Sequence, residues 1–155
     1  MGSILHPAIR AFRDGDLAGI LRIERASFGR DAWPRELFLD YAAALQEKAA
    51  PQFFLVARVS GRIAAYSIAT LTRRGAEIES LAVLPRYRNL GLATALMQAT
   101  IRKLRRAGVR RISLMVRRSN APAIRLYRSL GFVRVSTIAH YYPGGATAWR
   151  MRRLL

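Results

Sequence analysis

Apolar and polar positions repeat along the chain with two different periods, and the changes between them predict the order of secondary-structure elements. Alternation with a period of two, bounded by turn residues, predicts seven strands at residues 8–12, 53–59, 62–71, 76–84, 111–117, 132–138 and 146–152. Apolar spacing of three to four residues predicts four helices at residues 14–27, 34–45, 90–107 and 120–130. The order β-α-α-β-β-β-α-β-α-β-β predicts an α/β (α+β) fold with helices packed on a mixed sheet.

Capping and turn residues mark the boundaries of several of these elements. Asp14 and Asp16 precede the first apolar-periodic segment and are predicted to cap its helix. Ser60-Gly61 separates two strand patterns and predicts a hairpin turn. Gly108 and Gly131 follow the third and fourth helical patterns and are predicted to end those helices.

Composition narrows the class of protein. A chain of 155 residues with 52% apolar residues is predicted to form one domain spanning residues 1–155. It has no cysteine and only two histidines, so we expect neither a disulfide framework nor a metal site. No apolar run is long enough to span a bilayer, and residues 1–10 lack the apolar segment of a signal peptide. We therefore expect a cytoplasmic protein that does not enter a membrane.

Positive charge is concentrated in the second half of the chain. The net charge is +18, yet the last acidic residue is Glu79. Residues 80–155 contain 16 Lys and Arg and no Asp or Glu, whereas residues 1–79 contain 11 basic and 9 acidic residues. This asymmetry predicts contact with a polyanion such as RNA or the ribosome. The alternative is that arginine has accumulated on a solvated surface without a partner.

The segment from residue 81 to residue 97 carries the clearest chemical signal. A predicted strand ends there, and a short loop without acidic residues leads into a helix. Gly91 and Ala93 are small, so an anion can approach the unpaired N–H groups at the start of the helix. Arg86 and Arg88 add positive charge at the rim. The alternative is an ordinary strand-to-helix turn, because neither a dinucleotide-binding nor a P-loop glycine pattern is present.

Two motifs on these elements resemble the signatures of the GNAT superfamily of acetyltransferases. Arg88-Asn-Leu-Gly91-Leu-Ala93 resembles its Arg/Gln-x-x-Gly-x-Gly/Ala cofactor motif. The segment from Asn120 through Tyr127 to Gly131-Phe132 resembles its Asn-x-x-Ala-x-x-x-Tyr-x-x-x-Gly-Phe block. The resemblance covers nearly the whole chain. It implies a mostly antiparallel seven-stranded sheet with about four helices, in which the fourth and fifth strands splay apart.

The resemblance also implies acetyl-coenzyme A as cofactor. The backbone of Leu81 and Val83 is then expected to pair with the pantetheine arm, and the amides of residues 88–94 to hold the pyrophosphate. Asn120 is expected to contact the cofactor and Tyr127 to lie near its sulfur. The full cofactor-binding set implied in this way is Leu81, Ala82, Val83, Arg88, Asn89, Leu90, Gly91, Leu92, Ala93, Thr94, Asn120 and Tyr127.

Within the superfamily, the chain looks most like the protein N-terminal acetyltransferases, which include the ribosomal-protein-alanine enzymes. Val116-Arg-Arg-Ser-Asn120 resembles their Val-Arg-x-Ser-Asn, and the segment from Tyr141 to Ala148 resembles their tyrosine loop. The resemblance implies that Phe28, Tyr141 and Tyr142 bind the acceptor. For the two tyrosines, the alternative is a role as ordinary hairpin aromatics.

Acetyl transfer needs a base for the attacking amine and an acid for the leaving thiolate. Tyr127 is the acid candidate by its motif position, or else a packing residue. The family often places Glu or His at the position of Met115, which cannot accept a proton. Glu24, Glu77 and Glu79 are therefore the base candidates, or else solvated carboxylates. An α-amine, with a pKa of about 7.7–8.0 against about 10.4 for lysine, makes a strong base less necessary.

Three functions follow from this sequence. The first is acetylation of a protein N-terminus, which includes a ribosomal acceptor. The second is acetylation of a small-molecule amine by the same chemistry. The third is a non-catalytic acetyl-coenzyme A-binding module that docks on RNA or an acidic protein through the basic half. The chain is expected to act as a monomer or a homodimer.

Overall fold

A computed structural model describes residues 6–47 and 52–155. The seven strands are β1 (Ala8–Ala11), β2 (Gln52–Val59), β3 (Arg62–Thr72), β4 (Gly75–Val83), β5 (Arg111–Arg117), β6 (Val133–Ile138) and β7 (Ala148–Leu154). The helices are α1 (Leu17–Phe28), α2 (Arg35–Glu47), α3 (Leu92–Arg106) and α4 (Ala121–Ser129). The signal-peptide prediction concerned residues 1–10, of which residues 1–5 lie outside the described part.

All seven strands belong to one sheet, in the order β1-β2-β3-β4-β5-β7-β6. Strands β1 to β4 pair antiparallel, as do β5 with β7 and β7 with β6. Within residues 6–47 and 52–155, only β4 and β5 run parallel, and α3 makes the crossover between them. The predicted mixed, mostly antiparallel seven-stranded sheet with four helices is confirmed. Among the described residues, no helix is both long and apolar enough to cross a bilayer.

Helices cover both faces of the sheet because side chains alternate along its central strands. On β3, Tyr66 and Ile68 pack with the apolar sides of α1 and α2, whereas Ala69 packs with α3. Ala65 joins Leu92 and the rest of the first turn of α3. Because β3 is buried on both faces, its sequence reads as a nearly continuous apolar run.

Strands β4 and β5 pair over only three residues and then separate. Ala76, Glu77 and Ile78 face β5, but the β4 residues that follow have no partner there among the described residues. A bulge on β4 coincides with this point, since Ile78 pairs with Ala69 of β3 whereas Ser80 pairs with Ile68. The extra residue, Glu79, bends the strand. The predicted splaying of the fourth and fifth strands is confirmed, and the bulge gives its local cause.

Two predictions about helix starts, one of a cap and one of a first residue, were wrong for identifiable reasons. Asp16 does not cap α1 through its side chain, because its carboxylate accepts hydrogen bonds from the guanidinium of Arg10, at 2.7 and 2.9 Å, and from the N–H of Arg13, at 2.8 Å. The third helix begins at Leu92 rather than residue 90, because a short 3-10 turn at Pro85–Tyr87 intervenes and Gly91 adopts a left-handed conformation.

Candidate functional site

A cleft of about 530 Å³ opens where β4 and β5 separate. Its walls are β4, the loop leading into α3, the first turn of α3, and α4. Eleven of the twelve predicted cofactor residues line it: Leu81, Ala82, Val83, Arg88, Asn89, Gly91, Leu92, Ala93, Thr94, Asn120 and Tyr127. The exception is Leu90, whose side chain is exposed outside the cleft.

The loop into α3 presents a set of backbone N–H groups to this cleft. The first helical bond runs from Ala95 N–H to the carbonyl of Gly91, which leaves the N–H groups of Leu92, Ala93 and Thr94 without helical partners. Gly91 has a φ of +81°, and a Cβ there would meet no atom within 4 Å. The space beside these amides is therefore open, and the positive end of the helix dipole points toward it.

Arg88 holds this loop in place rather than only adding charge at its rim. Its Nε donates to the carbonyl of Val83 at 3.0 Å, and its Nη2 donates to Ser27 Oγ at 3.1 Å. One guanidinium thus connects the loop, the end of β4 and the end of α1. Because Arg88 also lines the cleft, its remaining N–H groups are donors for an anion bound there.

Alternate residues of β4 point their backbone N–H and C=O groups into the gap. Leu84 N–H donates to the Ala64 carbonyl on β3. Because backbone groups alternate in direction along a strand, those of Ala82 also point toward β3, whereas the N–H and C=O groups of Leu81 and Val83 point away from it. The N–H groups of Leu81 and Val83 and the carbonyl of Leu81 are consequently available to an extended ligand. The Val83 carbonyl already accepts from Arg88.

Helix α4 forms the opposite wall. Asn120 Oδ1 accepts from Ala123 N–H at 3.3 Å and caps the helix, which leaves the side-chain NH₂ as a donor. The ring of Tyr127 is buried, with 9% of its surface exposed, and meets Phe132 edge to face at 5.9 Å. Burial raises the pKa of Tyr127 to about 12, so its hydroxyl is protonated at neutral pH.

Two loops on the side of the cleft that we call its entrance are joined by one arginine, although Tyr141 and Tyr142 do not line the cleft itself. Phe28 lies at the end of α1 and lines the cleft with 41% of its surface exposed. In the β6–β7 loop, Tyr141 and Tyr142 pack edge to face at 4.9 Å. Arg117 stacks on the Tyr142 ring at 4.4 Å and pairs with Asp31 of the α1–α2 loop at 3.2 Å. The proximity of Tyr142 also contributes to the raised pKa of Tyr127.

Glu24 is buried in a hydrogen-bonded network beneath this entrance. Its carboxylate, with 2% of the residue exposed, accepts from Trp33 N–H at 2.8 Å and from the hydroxyl of Tyr66. Tyr66 Oη also lies 3.0 Å from Ser80 Oγ on β4. Burial raises the pKa of Glu24, and burial together with the charge of Glu24 raises the pKa of Tyr66. The network connects α1 to the strand that borders the gap.

Glu77 and Glu79 lie lower on β4 and do not line the cleft. Glu79 accepts from Thr70 Oγ1 at 2.6 Å, and Glu77 lies 3.9 Å from Arg150. Burial raises the pKa of Glu77, the charge of Arg150 opposes this rise and the charge of Glu79 adds to it. The predicted site residues thus fall into three places: the cleft, its entrance, and this acidic pair on the sheet.

Sequence reasoning did not identify several residues that the fold brings to the site. Ser27, Tyr87, Pro122, Ala123 and Leu126 also line the cleft. Tyr66 lies within the apolar run of β3 and Ser80 within β4, so nothing in their local sequence distinguished them from core residues. The only available signal was that Ser80 directly precedes the predicted pantetheine-binding backbone.

The donor set of the cleft fits acetyl-coenzyme A. Unpartnered helix-terminal amides beside open space suit a pyrophosphate, and two strand-like N–H groups with one carbonyl suit the amides of a pantetheine arm. The cleft is large enough for the pantetheine end of the molecule, and the protonated hydroxyl of Tyr127 lies on its far wall.

Comparison with known proteins agrees with this geometry. Residues 17–132 match the model of the acetyltransferase (GNAT) family. An N-alpha-acetyltransferase of Sulfurisphaera tokodaii is 34% identical, over 92% of this chain and 90% of that protein. The crystal structure of the ribosomal-protein-S18-alanine N-acetyltransferase of Escherichia coli superposes with a TM-score of 0.81, at 31% identity, over 95% of this chain and 92% of that one.

A further solved structure, Ard1 from Thermoplasma volcanium, superposes with a TM-score of 0.86 at 29% identity, over 96% of this chain and 97% of that one. The family match covers most of the chain, and the relatives match it nearly from end to end. The chain therefore belongs to the acetyltransferase (GNAT) family and is an N-acetyltransferase that uses acetyl-coenzyme A as its acetyl donor.

Proposed function

We propose that this enzyme acetylates the N-terminal α-amine of a protein. The observation that carries the proposal is the entrance of the cleft, where Arg117 ties Asp31 of the α1–α2 loop to Tyr142 of the β6–β7 loop. Two loops tied together beside the cleft, with a pair of tyrosines on one of them, suit the end of an extended polypeptide. The names of the relatives, N-alpha-acetyltransferase and ribosomal-protein-alanine N-acetyltransferase, support the same acceptor class.

The cofactor is held by backbone groups on two sides of the gap in this proposal. The N–H groups of Leu92, Ala93 and Thr94 take the pyrophosphate, and Leu81 and Val83 bind the pantetheine arm along β4. Bound acetyl-coenzyme A supplies the thioester whose acetyl group is transferred. Asn120 donates from its NH₂ group at the α4 wall, and Phe28 closes the entrance side.

Tyr127 acts as the proton donor. Its hydroxyl keeps its proton until the pH approaches about 12, because burial disfavours the phenolate. The ring is fixed by its edge-to-face contact with Phe132, so the hydroxyl has a defined position. A protonated, positioned phenol can give its proton to a departing thiolate and stabilise the charge that develops there.

Glu24 receives the proton of the attacking amine through two hydroxyl groups. Ser80 Oγ takes the proton from the amine as it passes its own proton to Tyr66 Oη, and Tyr66 passes its proton to the Glu24 carboxylate. Burial raises the pKa of Glu24 toward the pH at which the reaction runs, which makes it a better base. This hydroxyl chain supplies the base that Met115 cannot provide.

Glu77 and Glu79 do not take part in this mechanism as we propose it, because they lie away from the cleft and are engaged by Arg150 and Thr70.

The single domain over residues 1–155, the cytoplasmic location and the oligomeric state stay predictions of the sequence. A small-molecule amine remains the competing acceptor, and the first experiment below distinguishes it.

The acceptor class is tested with matched substrates. A peptide with a free N-terminus and no lysine should be acetylated on its α-amine, as located by tandem mass spectrometry. An N-blocked peptide with one internal lysine should react about a hundredfold more slowly at pH 7.5, because far less of a group with a pKa near 10.4 is neutral. A small amine or polyamine with a higher kcat/KM than every peptide would instead support the small-molecule acceptor.

Replacing Tyr127 with Phe removes only the hydroxyl and keeps the packed ring. We expect kcat to fall at least about tenfold while KM for acetyl-coenzyme A changes little, because general acid assistance is typically worth about 10²–10⁴-fold and a thiolate leaves comparatively easily. Phe132→Leu, which loosens the ring but keeps the hydroxyl, is the control and should have the smaller effect on kcat. Near-normal turnover by Tyr127→Phe would reduce Tyr127 to a packing residue.

Glu24→Gln tests the proton path: the glutamine oxygen can still accept from Trp33 N–H, while its NH₂ group can donate to Tyr66 Oη but cannot accept a proton. We expect kcat near neutral pH to fall at least about tenfold. In the natural enzyme, kcat should decrease as the pH falls toward the raised pKa of Glu24 and the carboxylate becomes protonated; the variant should lack this component of its pH profile. A drop in kcat with an unchanged profile, explained by a lower Tm, would argue for a purely structural Glu24.

A further inference from the structure

Positive charge gathers at the end of the sheet farthest from the cofactor loop. Three parts of the chain contribute: the β3–β4 turn, the segment from the last turn of α3 to the start of β5, and the end of β7. We call this surface the basic end, and its residues are Arg73, Arg74, Lys103, Arg105, Arg106, Arg110, Arg111, Arg152 and Arg153. Arg73, Arg74 and the basic residues from 103 to 110 are exposed.

Two hydrogen bonds and one close backbone approach hold these three parts together. Arg111 Nε donates to the carbonyl of Arg74 at 3.1 Å, and Leu155 N–H donates to the carbonyl of Arg110 at 2.9 Å. Gly75 has a φ of +145°, and a Cβ there would lie 2.1 Å from the carbonyl oxygen of Arg111. Only glycine permits this approach, so the β3–β4 turn is fixed against the start of β5.

Two clefts on opposite faces of the sheet meet at the basic end. Arg152 and Arg153 are consecutive on β7, so their side chains point to opposite faces. A cleft of about 340 Å³ contains Arg152 with Arg73, Arg74, Arg111 and Arg150. A cleft of about 600 Å³ on the other face contains Arg153 with Arg102 and Arg105. A long ligand that passes over the end of the sheet can contact both.

The smaller cleft contains more donors than its own acceptors satisfy. Its one lining carboxylate among the described residues, Glu77, lies 3.9 Å from Arg150. Arg152 Nε is buried and has no hydrogen-bond partner within the described part of the chain. A buried donor without an acceptor is unfavourable, and a group of like charges in one cleft repels itself. An anion seated in the cleft relieves the repulsion among its arginines.

We propose that the basic end binds the phosphate backbone of structured RNA. Eight of its nine cations are arginines, whose planar guanidinium matches two phosphate oxygens at once. Among the described residues, neither cleft is lined by an aromatic side chain. Protein interfaces are usually anchored by aromatic residues, and single-stranded bases are held by stacking on them. Charge without stacking surfaces therefore favours a duplex recognised by its backbone, as double-stranded RNA is.

RNA at this position does not obstruct the cofactor cleft. The nine residues of β4 separate the β3–β4 turn from the loop into α3, a distance of about 26 Å at roughly 3.3 Å per residue. The enzyme can hold RNA with one end and turn the other toward an acceptor. This inference is independent of which amine is acetylated.

The test is fluorescence anisotropy with a labelled 20-base-pair RNA duplex over a range of KCl concentrations. Replacing the exposed Arg73, Arg74, Arg105 and Arg106 with glutamine should weaken binding at least about tenfold and flatten the slope of log K against log salt by about three to four. Acetyl-coenzyme A at saturating concentration should leave RNA binding unchanged, because the two sites are separate.

The matched control replaces the exposed Arg22, Arg25, Arg35 and Arg62 with glutamine, which removes the same charge elsewhere. This control should weaken RNA binding by less than about threefold, and both variants should bind acetyl-coenzyme A normally by calorimetry. Equal losses in the two variants would overturn the localised site, as would competition by acetyl-coenzyme A. Absence of RNA binding, or tighter binding of polyglutamate or of single-stranded RNA than of the duplex, would overturn the proposed ligand.

Discussion

The separation of β4 from β5 after three paired residues is the constraint on which the site depends. The bulge at Glu79 bends β4 where Ile78 makes its last pair with β5, and Gly75 fixes the strand at its other end. Backbone groups of Leu81 and Val83 that would otherwise complete a ladder are left facing open space. Unpaired strand groups are normally unfavourable inside a protein, so the gap is stable only if water or an extended ligand with its own amides satisfies them.

The same region supports the acceptor side of the site through a buried polar network. Glu24 links Trp33, near the end of the α1–α2 connection, to Tyr66 on β3, and Tyr66 meets Ser80 one residue after the bulge. A buried carboxylate is costly unless it is hydrogen-bonded, and here the bonds that satisfy it also set the position of α1 relative to β4. The residue proposed to receive the proton is therefore also one that holds the two walls of the site together.

Much of the fold could be predicted from the periodicity of the sequence, and most of the cofactor cleft from the resemblance of two motifs to the GNAT signatures. Strand β5 begins and ends where its alternation predicts, and the motif from Arg88 to Ala93 does form the helix-terminal amide cluster. Long-range side-chain contacts were not predictable. Arg88 is recruited to Val83 and Ser27, and Asp16 to Arg10, by partners that only the tertiary fold brings near. Tyr66 was hidden because a buried hydrogen-bonded tyrosine has the same strand pattern as an apolar residue.

The central claim is that the amides after Gly91 hold the pyrophosphate of acetyl-coenzyme A, and calorimetry on three variants of Gly91 tests it most directly. Gly91→Ala measures the strain of a side chain at positive φ, about 1–2 kcal/mol. Gly91→Gln adds a bulky neutral side chain. Gly91→Glu adds a side chain of nearly the same shape as glutamine that carries a negative charge. We predict that Gly91→Glu binds acetyl-coenzyme A at least about tenfold more weakly than Gly91→Gln, with all three variants folded. Equal affinity of the Glu and Gln variants, both close to that of the natural protein, would contradict the claim.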